Sequence, residues 1–355
     1  MTKLELTNCP NLTELNCSNN LLTKLELPSC PNLRSIDCYG NVILANEMTN
    51  LVKALPDRNG KTTGWVNVFD SSSSDEKNVC YTYHVDIANA KGWSVSQKTK
   101  TGYDTYKGAP TPTYEVTLSA NEEGGTILIA GAGPNELKKV SYGTELVVVD
   151  QPKEGYELTA LTANGNDILA TKKVFISSIT TIKATFTKKT FAVTLTKEGE
   201  GTITATGASD LKAVTYGTEL AIVATPATDY ELVSLDANGV DITTTKKVVV
   251  IGDLTVKATF AKKTFAVTLT SNEHGKIEVA ESVDLKAVPY GTTLTVKATG
   301  KNAQCELTAL TANGDDILAT KSFVVKGATE VKATFVDHTG IDAVAADAFV
   351  IYPNP

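Results

Sequence analysis

Few residues in this chain have the types and spacing that chemistry requires. The three histidines, His84, His274 and His338, lie in three separate regions of the sequence. No His-x-x-x-His, Cys-x-x-Cys, Gly-x-Ser-x-Gly or phosphate-cradling glycine loop accompanies them. Carboxylate pairs occur at Glu122-Glu123 and Asp315-Asp316, without the loop spacing of a calcium-binding hand. Asp167, Asp241 and Asp316 recur beside Asn-Gly dipeptides, where a short carboxylate most often serves the turn itself. Cys305 aligns with Tyr156 and Tyr230 of two related segments, so it takes the place of a packing ring, and no histidine stands in the matching positions. The expectation is a protein without catalytic, cofactor-binding or metal-binding residues, and not an enzyme.

What the sequence does carry is repetition. Phe191-Ala-Val-Thr-Leu-Thr returns at Phe265, and Tyr216-Gly-Thr returns at Tyr290, both 74 residues later, with a diverged first copy opening at Tyr114. Tandem duplication multiplies a framework rather than a unique constellation of reacting groups, so such arrays commonly space, present or bind. Each copy alternates apolar and polar residues with period two and contains an Asn-Gly pair, Asn164-Gly165, Asn238-Gly239 or Asn313-Gly314, suited to a type I′ hairpin. Tyr142, Tyr216 and Tyr290 each precede a glycine, which places a core ring beside a bend. The copies read as all-β, with junctions expected to hinge.

The amino-terminal part has a shorter period. Leu12-x-x-Leu15-x-Cys17-x-x-Asn20-x-Leu22 is followed twenty-one residues later by Leu33-x-x-Ile36-x-Cys38-x-x-Asn41-x-Ile43, the signature of a leucine-rich repeat. Asn20 and Asn41 are placed to satisfy backbone groups at the bend after each strand. Cys9, Cys17, Cys30 and Cys38 follow the same period in apolar slots, as small buried hydrophobes do. Beyond Ile43, a helix over 46–55, a strand over 65–69 and a second helical stretch over 83–91 read as enlarged final coils that cap a solenoid. The pattern Leu4-x-Leu6-x-x-Cys9 upstream is the tail of an earlier repeat, so the chain is expected to begin inside a longer solenoid.

Period-two geometry also defines a surface. With Leu15, Cys17, Ile36, Cys38, Val66 and Val68 inward, three rows point outward: Glu14, Ser35 and Trp65, then Asn16, Asp37 and Asn67, then Ser18, Tyr39 and Phe69. These nine residues are the candidate ligand-binding stripe, with Tyr39, Trp65 and Phe69 as its aromatic anchors. The competing reading packs Trp65 or Phe69 under the loop 70–78.

The expected organisation is therefore a multidomain chain: a leucine-rich repeat solenoid (α/β) with end cap over 1–106, a Pro-rich linker over 107–113, three small all-β domains, β-grasp-like or sandwich, over 114–189, 190–263 and 264–336, and a terminal segment over 337–355. The net charge of −7 is uneven, with Lys plus Arg and Asp plus Glu at 11 each through residue 112 and 22 against 29 beyond. Nucleic acid and anionic membranes need a basic face and are not expected partners. No apolar run is long enough to span a membrane, so direct insertion is not expected either.

Tyr142-Gly-Thr, Gly155-Tyr156-Glu-Leu and the closing Lys-Ala-Thr-Phe resemble the divergent internalin B-repeat of bacterial surface proteins, with Leu161, Leu235 and Leu310 where many such repeats have tryptophan. The first segment is similar to the leucine-rich repeats of internalin-like proteins from Bacteroidetes. Phe349-Val-Ile-Tyr-Pro-Asn-Pro355 resembles the opening of a type IX secretion sorting domain. Together these resemblances imply an extracellular or outer-membrane-surface adhesin whose leucine-rich repeats bind a host or neighbouring bacterial protein and whose B-like repeats form a stalk. A purely structural stalk with recognition upstream, or glycan binding by the β-domains, are the alternatives.

Overall fold

The computed structural model describes residues 1–6 and 8–338 and divides into two compact units, the first Met1–Lys188 and the second from Lys189 onward. The terminal Tyr-Pro-Asn-Pro motif lies outside the described residues.

The first unit opens with a parallel ladder. Strands β1 (Glu14–Asn16), β2 (Ser35–Asp37), β3 (Gly64–Asp70) and β4 (Trp93–Thr99) pair in that order, and β5 (Gly102–Thr105) returns antiparallel on β4. Leu15, Ile36, Val66 and Val95 form one register row, and three of them, Ile36, Val66 and Val95, are buried. Helices α1 (Ala45–Ala54) and α2 (Thr82–Ala90) close the core with Met48, Leu51, Val52, Val85 and Ala88. Asparagines hold the coils together. The Asn41 carboxamide accepts from the Leu22 N–H and donates to the Cys17 and Cys38 carbonyls, all at 3.0 Å. Asn78 repeats this one coil on, accepting from Ile43 N–H at 2.8 Å and donating to Cys38 and Val68 carbonyls. All six cysteines are unbridged. Burial pushes the Cys17 thiol up to about 11 and that of Cys80 to about 12, which leaves both as inert packing groups.

Each ~74-residue copy builds a four-stranded and a three-stranded sheet around one core, together with a two-stranded pair, β6 (Thr113–Tyr114) with β9 (Val140–Ser141) in the first copy. In the first, β7 (Val116–Ala120), β14 (Thr180–Lys188), β11 (Tyr156–Ala163) and β12 (Asn166–Asp167) make a four-stranded sheet in which β7 and β14 run parallel. Strands β8 (Gly125–Ile129), β10 (Glu145–Pro152) and β13 (Lys173–Phe175) make an antiparallel three-stranded sheet. Val116, Ile129, Val148, Leu161, Ile182 and Phe186 share the space between them. The second unit repeats this order twice, down to a bulge at the same place in Tyr230–Ala237 and Cys305–Ala312 as in β11. No α-helix occurs among the described residues of these copies, and the four-stranded sheet is mixed, with its first and last long strands side by side and parallel. Leu161, Leu235 and Leu310 are fully buried in the three cores.

The Asn-Gly turns are formed as expected, with positive φ at both residues of each pair. The asparagines do more than turn. Asn238 Nδ2 donates to the Asp253 carbonyl at 2.9 Å while its Oδ1 accepts from Thr255 N–H at 2.8 Å, and Asn164 and Asn313 make the same pair of bonds. Each side chain thus pins the turn to the start of the last strand.

The first junction departs from expectation. The 107–113 segment is no free linker: Ala109 donates to the Cys80 carbonyl and accepts from Thr82 N–H, both at 2.9 Å, and Thr111 Oγ1 accepts from Tyr83 N–H. Tyr142 is not a core ring of its own repeat. It is 2% exposed, with Tyr81, Tyr83, His84 and Phe175 edge-on at 5.3 to 5.6 Å between centroids. Its hydroxyl donates to Asn46 Oδ1 at 3.0 Å and lies 2.8 Å from Thr49 Oγ1. Gly143, at φ +89°, allows this approach, because a β-carbon there would meet the Tyr83 ring at 2.2 Å. Tyr216 and Tyr290, the equivalents, are only half-buried and keep to Phe191 and Phe265 of their own copies.

His84 sits at the centre of this junction, fully buried. Its Nδ1 accepts from the Tyr81 N–H at 2.8 Å, which assigns the proton to Nε2, 3.0 Å from Thr49 Oγ1. Protonating Nδ1 removes the helix cap, and burial holds the imidazole down to about 4 against an ordinary 6.5. The unfolded state therefore binds the extra proton between those two values. Stability of the first unit is fully present above about pH 6.5 and falls as pH drops toward 4, by up to about 3 kcal/mol. Urea unfolding at stepped pH is expected to show this slope in the wild type and to lose it in His84→Gln; an equal slope in both proteins counts against the assignment. For the turns, Asn238→Gly keeps the backbone conformation and removes two hydrogen bonds, and is expected to cost about 1–2 kcal/mol in denaturant unfolding.

Candidate ligand-binding site

The outward face of the parallel ladder carries the first two rows of the predicted stripe in the predicted register. Glu14, Ser35 and Trp65 pair laterally, as do Asn16, Asp37 and Asn67. The structure brings only part of it together as an open surface. Trp65 is 52% exposed, and with Ser35 and Asn67 it lines a shallow recess of about 490 Å³ completed by Ser96, Tyr103, Asp104 and Thr105. Asn67 Nδ2 donates to Asp37 Oδ1, which ties the Asn67 carboxamide to the Asp37 carboxylate in the second row. At the open edge, Arg34 Nη2 contacts Glu14 Oε1 at 3.0 Å. Asn16 turns back on itself, accepting from the Ser18 N–H at 3.1 Å and from Ser18 Oγ at 2.8 Å.

The third row is a correction. Tyr39 is buried at 6% exposure, covered by Tyr103 at 6.4 Å and by Lys98, whose Nζ lies 5.0 Å over the ring. Phe69 is half-buried, packed against the core cluster and stacked on Tyr106 at 5.1 Å and 9° between planes. At Tyr39 the physical cause is the β4–β5 hairpin, which lays Tyr103 over the ring; at Phe69 it is a bulge between Asn67 and Phe69, which interrupts the alternation and lets the ring pack against the buried core beside Tyr106. Only Trp65 of the three expected aromatic anchors is available to a partner.

The hairpin also supplies what the sequence reading omitted. Tyr103 is 53% exposed beside the recess. A hydrogen bond with Tyr39, with burial and the Asp37 charge behind it, pushes the Tyr103 phenol up to about 12, so it stays a neutral hydroxyl at physiological pH. Lys98 faces Asp70 at 3.6 Å, and Asp70, despite burial that opposes ionisation, is held below the usual carboxylate range by hydrogen bonds from Ser72 and by Lys98. The signal for this hairpin was present in Lys100-Thr101-Gly102, a turn sequence followed by Tyr103 and Thr105 at alternate positions. The recess thus offers two aromatic surfaces and a floor of small hydroxyl, amide and carboxylate groups, suited to hydrogen-bonded recognition and devoid of a nucleophile–base pair.

The other chemistry-bearing residues scatter as follows. Asp167, Asp241 and Asp316 accept from the N–H two residues on, at 2.8 to 2.9 Å, and serve their turns as expected. Glu123 accepts from the Tyr156 hydroxyl at 2.8 Å. One sequence expectation fails: Cys305 does have a histidine neighbour, since His274 and Asp337 converge on it in the third copy.

Comparison with known families agrees with this architecture. Residues 10–57 match the model described as Leucine Rich repeats (2 copies), and residues 114–190 and 191–264 each match the Divergent InlB B-repeat domain. No curated protein matches the chain. The chain therefore carries leucine-rich repeats followed by divergent InlB B-repeat domains, and the third copy repeats their strand order. Leucine-rich repeats generally mediate protein–protein interaction, and InlB-type B-repeats are typical of surface proteins, a combination consistent with an adhesin-like surface protein. No described helix is long and apolar enough to cross a membrane.

The half-exposed position of Trp65 separates binding from folding. Trp65→Ala is expected to change unfolding free energy by about 1 kcal/mol or less, whereas Ile36→Ala, on the buried side of the same ladder, is expected to cost about 2–5 kcal/mol. Urea titration of the two variants checks this face assignment.

Proposed function

We propose that this chain is a cell-surface or secreted adhesin-like protein, not an enzyme, whose leucine-rich repeats bind a protein on a host or neighbouring bacterial surface while the B-repeat domains serve as the stalk. The observation that carries this reading is the pair of half-exposed aromatics, Trp65 and Tyr103, set across a polar recess on the strand face. Large amphipathic rings around a hydrogen-bonding floor are the composition of an interface hot spot, where a few residues supply most of the binding energy. The contact residues of the proposal are Glu14, Ser35, Asp37, Trp65, Asn67, Ser96, Tyr103 and Asp104. Asn16, Ser18, Tyr39 and Phe69 support this face from behind or beside it.

The proposed setting is extracellular, in keeping with internalin-like proteins of Bacteroidetes and with type IX sorting through the 349–355 motif. Glycan binding by the β-domains is less well supported at the first Tyr-Gly turn, because Tyr142 is covered. Particles coated with the protein, presented to epithelial cells and to bacterial cells, test the reading. Wild-type protein is expected to adhere to one of the two. Trp65→Ser combined with Tyr103→Ser is expected to lower adhesion about 10–30-fold with an unchanged unfolding midpoint. Equal adhesion by the double variant removes the recess from recognition and favours the passive-stalk alternative.

A further inference from the structure

We infer that the third B-repeat holds a divalent transition-metal ion of the zinc class between His274, Cys305 and Asp337. Donor atoms of these three residues lie within 4.8 Å of one another, and His274 Nδ1 is 3.9 Å from Asp337 Oδ2. The residues come from three separate parts of the copy. His274 stands in the turn before the strand Gly275–Val279, Cys305 opens the strand Cys305–Ala312, and Asp337 ends the strand Thr329–Asp337, directly opposite Cys305 in register.

The other copies make this corner informative. The register pair Cys305–Asp337 is Tyr156–Lys188 in the first copy and Tyr230–Lys262 in the second. The turn position held by His274, directly before the strand, is Gly124 in the first copy, next to the Glu123 that accepts from the Tyr156 hydroxyl, and Glu200 in the second. A lysine ammonium at the strand end repels a cation, and a phenol is a poor ligand. In the third copy all three positions differ from both sister copies, with a thiol in place of the ring, a carboxylate in place of the ammonium and an imidazole at the turn. Independent drift at a solvated corner has no reason to place three ligand types on one point. A thiolate, a neutral imidazole and a carboxylate sum to a charge of about −2, matched to a divalent ion, and the mixed S, N and O set favours zinc over the oxygen-seeking calcium and magnesium.

The scaffold around the corner is already fixed. The His274 carbonyl accepts from Lys301 N–H at 2.8 Å, Cys305 N–H donates to the Asn302 carbonyl, and His338 N–H donates to the Gln304 carbonyl. Asn272, two residues before His274, exchanges two hydrogen bonds with the Phe335 backbone, two residues before Asp337. Zinc bonds of about 2.0–2.3 Å imply ligand separations of roughly 3.3–3.7 Å, so side-chain rotation alone closes the set. Glu273 Oε1, 3.8 Å from His274 Nε2, stands where a carboxylate orients a metal-bound imidazole. Three protein ligands leave a fourth position for water.

The test is cobalt(II) titration of the metal-stripped full chain, followed by zinc competition. The expected result is one ion per chain, with a thiolate-to-cobalt charge-transfer band that zinc abolishes. Cys305→Tyr, which installs the residue of the first two copies, is expected to remove the band and to weaken zinc binding roughly 100-fold or more, and Asp337→Lys to do the same. Cys9→Ser is expected to leave both unchanged. Circular dichroism melting of the apo variants confirms that they fold. Absence of the band at saturating cobalt, or its persistence in Cys305→Tyr, overturns the assignment.

Discussion

A carboxamide buried away from water must find partners for both its oxygen and its nitrogen, and in the leucine-rich part of this chain only one stacking of the coils provides them. Asn41 draws on Leu22 and Cys17 of the preceding coil and Cys38 of its own; Asn78 draws on Ile43, Cys38 and Val68. Any slip of one coil against the next leaves such a group unsatisfied, at a cost of about 1–3 kcal/mol each. These side chains therefore lock the lateral register of the strands, and register decides which residues face outward. Trp65 lies beside Ser35, and Asn67 beside Asp37, because the asparagines behind them permit no other alignment.

The end of the ladder is closed by a different interaction. α1 and α2 leave an aromatic and imidazole surface that no further coil covers, and the first B-repeat meets it with Tyr142 and Phe175. Lys53 Nζ, 5.1 Å over the Phe175 ring, adds a cation–π contact. The corresponding positions in the later copies are Val249 and Val324, 48% and 46% exposed. The first copy is thus adapted to a protein surface through the same Tyr-Gly-Thr edge that its sisters keep half-open. Capping and connection are one structure here, which places the outward strand face and the first β-domain in a single compact unit.

Much of this was readable in the residues. The twenty-one-residue period located β1, β2, Asn20 and Asn41, and alternation assigned the inward and outward rows, because a coil repeated without insertion carries its geometry in its spacing. Asn78 escaped notice because thirty-seven residues separate it from Asn41, and the enlarged coils break the period without breaking the ladder. Tyr39 is covered by Tyr103, 64 residues later in the chain, and a bulge between Asn67 and Phe69 breaks the alternation that set Phe69 outward, so that its ring packs against the buried core. Alternation states a direction, and exposure depends on what else arrives. The same limit applied to Tyr142: internal comparison identified a ring beside a bend, while its partners, Tyr81, Tyr83 and His84, belong to another period altogether. His274, Cys305 and Asp337 stood in separate windows of sequence until the strand register joined them.

Tandem copies share a core and diverge at corners, and the pattern of divergence is itself physical information. Leu161, Leu235 and Leu310 are interchangeable because each fills the same closed space, and the Asn-Gly asparagines are retained in all three copies with the same two hydrogen bonds. Where a copy changes several touching residues together, the shared scaffold no longer explains them and a local interaction must. Phe175 with Tyr142 marks one such place, explained by the cap helices it meets. The His274, Cys305 and Asp337 corner marks another, where a thiol and a carboxylate stand in place of an aromatic ring and an ammonium. The proposed bound cation accounts for it, since such an ion draws a thiolate, an imidazole and a carboxylate to one point.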